Sequence, residues 1–237
     1  MLDILYQDEF LVAVNKPSGL LVHRSPIDRH ETRFAVQMLR DQIGKFVYPV
    51  HRLDKPTSGV LLFALDKESA KIMGEQFSQK ESKKTYLAVV RGYTDESGII
   101  EHALSVKLDK IADKDSTCKE AQEASTEYER LATMELAHSV GRYDTVRYSL
   151  VKLRPLTGRK HQLRRHMKHI SHHILGDTKY GRGEHNNFMR QELSLNRMFL
   201  HALELQIKHP YNDKALNIKA PLDDEFRSLC KFFDHDI

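Results

Sequence analysis

The apolar run 60–65 is the feature that most constrains how this chain folds. It reads Val-Leu-Leu-Phe-Ala-Leu and follows Gly59 directly, with no polar residue at alternate positions. An unbroken run of this length beside a turn residue predicts a strand that is buried on both faces. The fold must therefore place other elements against both faces of this strand.

Further strands and four helices are predicted around this run. The other predicted strands are 2–6, 11–15, 85–91 and 145–154, with a half-buried strand around 203–207. The predicted helices are 32–43 with Thr32 as its cap, one from Asp66, 161–170, and one from Asp223 or Asp224. In the helix 161–170, Leu163, Met167 and Ile170 form one apolar stripe, and the other face is cationic.

Between these elements the chain shows no repeat and no Pro/Gly/Ser-rich linker. Residues 104–124 are rich in Lys, Asp, Glu and Ala without an apolar period, which predicts an exposed loop or insertion. We therefore expect one α+β domain over 1–237, with a mixed, mainly antiparallel sheet flanked by helices.

Composition narrows the setting in which the chain works. No apolar stretch approaches the roughly 20 residues that span a bilayer, and the N-terminus has no signal-peptide pattern. Two cysteines, Cys118 and Cys230, do not make a disulfide framework. The expectation is a cytoplasmic protein that is not embedded in a membrane.

The net charge of +4 is modest, but positive charge is concentrated between 151 and 175. This segment has seven Lys or Arg and five His without any acidic residue. A solvated basic helix is one interpretation, but such helices normally carry Glu or Asp at pairing distances. The alternative interpretation is a surface that binds a polyanion.

Asp54 lies in the run His51-Arg52-Leu53-Asp54-Lys55-Pro56-Thr57-Ser58-Gly59, immediately before the buried strand. Functional side chains often occupy such loops, because a rigid scaffold positions them. An aspartate in a turn also commonly accepts local main-chain hydrogen bonds. The residues alone leave both interpretations open.

The run around Asp54 resembles the signature of the RluA-type pseudouridine synthases, and other blocks agree in order and spacing. These blocks are Asn15-Lys16-Pro17-Ser18-Gly19 with Val22-His23, Lys84-Thr85-Tyr86, Thr157-Gly158-Arg159-Lys160-His161-Gln162-Leu163-Arg164, Gly176-Asp177, Tyr180-Gly181 and Leu200-His201-Ala202 with His209-Pro210. Together they extend over nearly the whole chain. The resemblance implies a pseudouridine synthase catalytic domain that isomerises uridine in RNA.

The resemblance also assigns roles to four residues. Asp54 is the expected catalytic nucleophile, and Arg164, on the cationic helix face, is expected to keep its carboxylate charged. Tyr86 is expected to stack on the target base and to handle a proton. Arg52 is expected to occupy the space that the extruded base leaves. The reaction gains no atoms and has no redox change, so neither a cofactor nor a metal is implied.

Within the family, Arg164-Arg165-His166 and the segment Asp109-Lys110-Ile111-Ala112-Asp113-Lys114 resemble members that act on the T-arm stem of tRNA, at tRNA position 65. The expected partner is therefore tRNA, and no obligatory protein partner is implied. The chain starts at Met1 without room for the small RNA-binding domain of many ribosomal-RNA members, which also favours tRNA. Ribosomal RNA as the substrate, and a non-catalytic RNA-binding protein on the same scaffold, are the alternatives.

The histidines of the basic segment suggest one more alternative. His166, His169 and His173 recur at helical spacings of three and four, which metal ligands can use. The surrounding cations would repel a divalent metal, and no nearby carboxylate or cysteine pair offsets them. A metal site is therefore disfavoured.

Overall fold

The computed structural model describes residues 1–24, 30–105, 120–141 and 143–233. Its strands in chain order are β1 (Asp3–Gln7), β2 (Leu11–Lys16), β3 (Tyr48–Pro49), β4 (Ser58–Ala64), β5 (Lys83–Arg91), β6 (Ser97–Glu101), β7 (Ser125–Leu136), β8 (Val146–Pro155), β9 (Leu200–Lys208) and β10 (Ala215–Lys219). Its helices are α1 (Ala35–Ile43), α2 (Lys67–Ser78), α3 (Gln162–His169), α4 (Gly183–Glu192) and α5 (Asp224–Cys230), with a 3-10 helix at Lys231–Phe233. The predicted α+β class and mainly antiparallel sheet are confirmed.

The chain forms two compact units, each built from three stretches of sequence. The first unit consists of Met1–Lys84, Ala103–Glu123 and Ala202–Pro221, and the second of Thr85–His102, Ala124–His201 and Leu222–Ile237. The expectation of one catalytic domain over 1–237 stays a prediction.

In the first unit the strand order is β1-β2-β4-β9, with β3 on β4 and β10 on β9. Every residue of β4 is buried, which confirms the strand predicted from the apolar run. Helix α2 begins as expected, because the Asp66 carboxylate accepts a hydrogen bond from the Ser69 amide at 2.8 Å. Met73 of this helix packs into a core with Leu62 and Leu205.

The start of α1 differs from the prediction. The cap position is Phe34, without a side-chain hydrogen bond, and the predicted cap Thr32 is exposed. The amides of Ala35 and Val36 instead donate to the main-chain oxygens of Leu21 and Val22, at 2.8 and 3.1 Å. A neighbouring chain segment therefore satisfies the amides that a capping hydroxyl would otherwise bind, and the prediction of Thr32 as the cap was wrong.

In the second unit the strand order is β5-β8-β7-β6, and the β5–β8, β8–β7 and β7–β6 pairs are antiparallel. Leu163 and Met167 of α3 pack on a core formed with Val151 and Leu153 of β8, as the apolar stripe predicted. Helix α5 is capped by the Asp223 carboxylate, which accepts from the Phe226 amide at 2.9 Å. None of the helices in the described ranges is both long and apolar enough to cross a membrane.

Residues 106–119 of the predicted loop 104–124, among them Cys118, lie outside the described residues. At the ends of this loop, Leu104 and Gln122 exchange two main-chain hydrogen bonds of 2.8 and 3.1 Å. Leu104 and Gln122 are therefore paired through their main chains.

Gly59, at the start of β4, is required by close packing of the main chain. Its φ is +108°, and a Cβ built there would lie 2.2 Å from the carbonyl oxygen of Ala202. We expect Gly59→Ala to lower the free energy of unfolding by about 3 kcal/mol or more, because left-handed strain adds to a clash with main chain. Urea unfolding measures this change.

A second glycine supplies the matched control. Gly74 lies in α2, and a Cβ there would have nothing within 4 Å. We expect Gly74→Ala to raise the free energy of unfolding by up to about 1 kcal/mol through helix propensity. Equal effects of the two alanines would contradict the packing argument for Gly59.

Candidate active site

The Asp54 turn lies between the buried strand β4 and a second turn at 17–20. The Thr57 amide donates to the Asp54 main-chain oxygen at 3.0 Å, which closes the turn. The Gly19 amide donates to the Lys55 oxygen at 2.9 Å, and the Ser18 hydroxyl donates to the Pro56 oxygen at 2.8 Å. Main-chain oxygens of this turn are thus bound by the turn beside it, and the half-buried Asp54 is carried on a fixed backbone.

Lys16 reinforces this junction from inside. It has no exposed surface, and its ammonium donates to the main-chain oxygens of Pro17, Leu20 and Lys55 at 2.9, 2.8 and 3.1 Å. A buried ammonium is tolerated where its protons are bound, and these three oxygens supply that binding. Lys16 therefore joins the turn at 17–20 to the Asp54 turn.

His51, at the start of the same segment, is a structural anchor. Its Nε2 accepts a hydrogen bond from the Leu62 amide at 3.0 Å, and its ring stacks on Phe77 with centroids 5.0 Å apart. Burial and the charge of Lys84 lower the pKa of His51 to about 3. The ring is therefore neutral at physiological pH, as an acceptor nitrogen requires.

Arg52 is exposed beside Asp54 in the same loop. Burial lowers the pKa of His23 below its ordinary value, and the charge of Arg52 lowers it further. Arg52 and His23 therefore influence one another electrostatically. An exposed guanidinium at this position can reach a nucleic acid without first breaking a buried ion pair.

In the second unit, Tyr86 is half-buried in β5, opposite Leu153 of β8. Its ring packs against the core that also contains Leu163 and Met167 of α3. Tyr86 and the helix that carries Arg164 are therefore held by one apolar cluster. Arg52 and Asp54, in turn, share one loop of the first unit.

Arg164 is buried, although it was predicted to lie on the cationic face of its helix. Its Nε and Nη2 donate to the two carboxylate oxygens of Asp177, at 2.7 and 2.8 Å. Both side chains are almost inaccessible, with 6% and 1% of their surfaces exposed. Helical periodicity did not indicate this burial, which an ionised partner 13 residues further along the chain makes tolerable.

Asp177 is held in its ionised form by several donors. Burial raises the pKa of its carboxyl, but the hydrogen bonds and charge of Arg164 and the amides of Tyr180 and Lys179 outweigh burial and lower it. Each of these amides donates to Oδ1 at 2.9 Å. Asn186 of α4 donates from Nδ2 to the Asp177 main-chain oxygen at 3.0 Å. Helix α4 therefore fixes the turn that positions the partner of Arg164.

Gln162, the first residue of α3, is held by hydrogen bonds at both ends of its amide group. Its Oε1 accepts from the Thr157 hydroxyl at 2.7 Å and from the Arg159 amide at 3.0 Å. Its Nε2 donates to the Ser125 oxygen and the Thr126 hydroxyl, at 2.9 and 3.0 Å. The motif before α3 is thereby attached to the start of β7.

Sequence reasoning assigned no role to Asp177, Asn186 or Gln162. Asp177 had two visible signals, since it stands in the Gly176-Asp177 block and is the first acidic residue after a basic segment without carboxylates. Asn186 had no signal, because its helix lies in a polar stretch without an apolar period. Gln162 belongs to the motif that precedes α3, but the two residues to which it donates are 36 and 37 residues away.

The basic segment divides into two kinds of cation. Lys152 and Arg154 lie 3.1 and 3.7 Å from the carboxylate of Glu129, so a carboxylate balances them. Arg159, Lys160 and Lys168 are exposed. The expected polyanion-binding surface is therefore limited to the later part of the segment.

The histidines of this segment contact main-chain and hydroxyl groups. His166 is fully buried, with Nδ1 at 2.9 Å from the Thr126 hydroxyl and Nε2 at 3.1 Å from the His102 oxygen. The Nδ1 of His173 lies 3.3 Å from the Ser171 oxygen. Within the described parts of the chain, no group of three or more His, Cys, Asp or Glu is arranged to hold a metal ion.

Comparison with known proteins agrees with this arrangement of motifs. A family model described as RNA pseudouridylate synthase matches residues 10–169. The tRNA pseudouridine synthase C of Haemophilus influenzae is 56% identical over 234 residues, which are 98% of this chain and 98% of that protein. The protein of the same name from Vibrio parahaemolyticus is 53% identical over 236 residues, covering 99% of this chain and 96% of its own.

Solved structures give the same result at lower identity. Human RNA Pseudouridylate Synthase Domain Containing 4 matches 97% of this chain and 92% of its own, with a TM-score of 0.70 and 28% identity. Human RNA Pseudouridylate Synthase Domain Containing 1 matches 94% of this chain and 84% of its own, with a TM-score of 0.69 and 28% identity. The fold is thus shared with two human proteins that are 28% identical to this chain.

Proposed function

The chain belongs to the RNA pseudouridylate synthase family, and from that premise we propose that it isomerises a uridine in the T-arm stem of tRNA, with Asp54 as the nucleophile. The observation that carries the proposal is the Asp54 turn, where a half-buried carboxylate stands on a backbone bound by Lys16, Ser18 and Gly19. The names of relatives that are 53–56% identical over almost the full chain support tRNA as the substrate.

The reaction breaks the bond between ribose C1′ and base N1, rotates the base, and rejoins it through C5. A carboxylate can serve this chemistry by attacking C1′, by attacking C6 of the base, or by stabilising a cationic sugar during elimination. Each route requires Asp54 to be anionic and fixed in position. The clamped turn supports the second requirement, because its main-chain oxygens are held independently of the RNA.

The target base must leave its stack before a carboxylate can reach C1′, and this costs a few kcal/mol. We propose that Arg52 enters the vacated space, since its planar guanidinium can stack and still contact phosphates. Its exposure supports this role. Tyr86 is proposed to stack on the extruded base and to take or return a proton.

Arg164 is proposed to orient Asp54 by charge-assisted hydrogen bonding. The bidentate pair with Asp177 changes what this arginine contributes, because Asp177 already balances its charge. Arg164 is therefore expected to orient the Asp54 carboxylate through the direction of its hydrogen bonds, more than to stabilise it through net positive charge. The hydrogen bonds from Nε and Nη2 to Asp177 fix the plane of the guanidinium group, which supports that role.

Release of tritium from uridine C5 tests the proposed reaction, because C5 loses its hydrogen when the base is rejoined. We expect the protein to release tritium from unmodified tRNA labelled at uridine C5, and to release much less from labelled ribosomal RNA fragments. Pseudouridine mapping in cells that lack the gene should show a missing modification in the tRNA T arm. A missing modification in ribosomal RNA would overturn the substrate assignment while leaving the reaction intact.

A further inference from the structure

The half-buried ring of Tyr180 is surrounded by three cations in the second unit. Arg164 lies over the ring with Cζ 5.1 Å from its centroid. The ammonium groups of Lys168 and Lys179 lie 6.0 and 5.9 Å from the same centroid. The ring hydroxyl is 3.0 Å from Nδ1 of His161, and this hydrogen bond restrains the position of the ring.

The three cations are balanced very differently. Arg164 forms a salt bridge with Asp177, and this pair is shielded from water. Lys168 and Lys179 are both exposed, and neither has a carboxylate within salt-bridge distance among the residues that the structure describes. A cation–π contact at an exposed site is worth only about 0.5–1 kcal/mol. Two like charges are therefore held near one ring, and no carboxylate among the described residues forms a salt bridge with either of them.

Nearby groups extend this positive field. Burial lowers the pKa of His173, and the charges of Arg182, Arg91 and Lys168 lower it further. Arg159 and Lys160 are also exposed in the segment that precedes α3. A local excess of exposed lysine and arginine is suited to bind phosphates, because neutralising a phosphate releases counterions.

We propose that Lys168 and Lys179, which both lie beside the Tyr180 ring, form a phosphate clamp that binds the RNA backbone. The ligand is an RNA phosphodiester, so the inference rests on the proposed function for the identity of the polyanion. Both ammonium groups lie within 6.0 Å of one centroid, so they are near enough to bind neighbouring phosphates of one strand. Lysine ammonium groups act as point charges on phosphates, so the clamp sets affinity and register without reading bases.

The salt dependence of RNA binding tests the clamp. The probe is an unmodified tRNA transcript with a fluorescent end, titrated with the full chain at salt concentrations between 50 and 200 mM. We expect Lys168→Gln and Lys179→Gln each to reduce the slope of log affinity against log salt by roughly 0.7–0.9. Each variant should then lose about threefold less affinity than the parent over this range.

Two kinds of control separate charge from structure. Lys152→Gln removes the same charge from the same unit, but from a lysine that Glu129 already balances, so the slope should not change. Lys168→Arg and Lys179→Arg keep the charge and should restore the slope of the parent. Thermal unfolding of every variant shows whether the fold is retained.

The outcomes are distinct from those of the proposed reaction. An unchanged slope in the Lys168→Gln/Lys179→Gln double variant would overturn the clamp, even if tritium release from tRNA is normal. Conversely, a reduced slope supports the clamp even if tRNA is bound without being isomerised. Inorganic phosphate, titrated by calorimetry, is the remaining arm: if the glutamines weaken phosphate binding but leave the RNA slope unchanged, the lysines bind free anions and the proposal is wrong.

Discussion

Asp54→Asn is expected to abolish tritium release from C5-labelled tRNA while the protein still binds the RNA. The amide keeps the size of the side chain but has no anionic oxygen to attack carbon or to stabilise a cationic sugar. Loss of an enzyme's nucleophile lowers turnover by about 10⁴-fold or more. The turn should survive, because Thr57 donates to the Asp54 main-chain oxygen and Lys16 binds the oxygen of Lys55.

A surface aspartate supplies the control for this experiment. Asp41 is exposed on α1, where it accepts from Gln37 at 2.7 Å, and Asp41→Asn removes the same charge from the same unit. Its turnover and affinity should equal those of the parent. Turnover by Asp54→Asn within about tenfold of the parent would refute the nucleophile assignment. A parent protein that binds RNA without turnover, and an Asp54→Asn variant that binds equally well, would instead identify a non-catalytic RNA-binding protein.

Asp177→Asn is expected to cause the largest loss of stability among single polar substitutions near Arg164. It would leave a guanidinium that is 6% exposed without its counter-charge. Breaking one partner out of a buried pair costs about 3–5 kcal/mol, whereas an exposed pair is worth about 0–1 kcal/mol. The matched control is Asp224→Asn, which breaks the exposed pair between Asp224 and Arg227 at 2.6 Å.

A double-mutant cycle and a pH series complete this test. Arg164→Met should also destabilise, and the double variant should lose less than the two single losses combined, because each single variant strands a buried charge. The folded-state pKa of Asp177 is lowered, so its stabilisation is present above the unfolded value of about 3.9 and is lost as pH falls through the folded value. The parent should therefore lose stability in acid more steeply than Asp177→Asn. Parallel pH curves, or additive losses in the cycle, would contradict the assignment of this pair.

The sequence predicts well those elements whose cause is local. The strand β4 follows from one apolar run, and the caps at Asp66 and Asp223 follow from a carboxylate that binds an amide three residues later. Such signals survive folding because no distant residue has to supply the partner. The prediction of Thr32 as a cap failed because a distant segment, at Leu21 and Val22, satisfied the helix amides first.

The candidate site shows the same division. Asp54 and Arg52 can be located from one contiguous run, and the structure leaves both in one loop. The surroundings of Arg164 cannot be derived from helical periodicity, because its partner Asp177 is 13 residues away in another turn. Strand β7 and helix α4 were also not predicted, since most of β7 is half-buried and most of α4 is exposed, so neither has a clear apolar period. What remains unpredictable from the sequence is therefore the set of long-range polar contacts that orient the charged groups.

The ammonium of Lys16 stands inside a cage of three carbonyl oxygens, a setting that proteins elsewhere use to coordinate a monovalent cation. Here the cation is covalently attached to the chain, so it does not dissociate and its occupancy does not vary with potassium or sodium. A free ion would leave the cage when the medium is diluted, whereas the tethered one remains. The geometry of the Asp54 turn is thus expected to be independent of the salt concentration, whereas the affinity for a polyanion is expected to fall as salt rises.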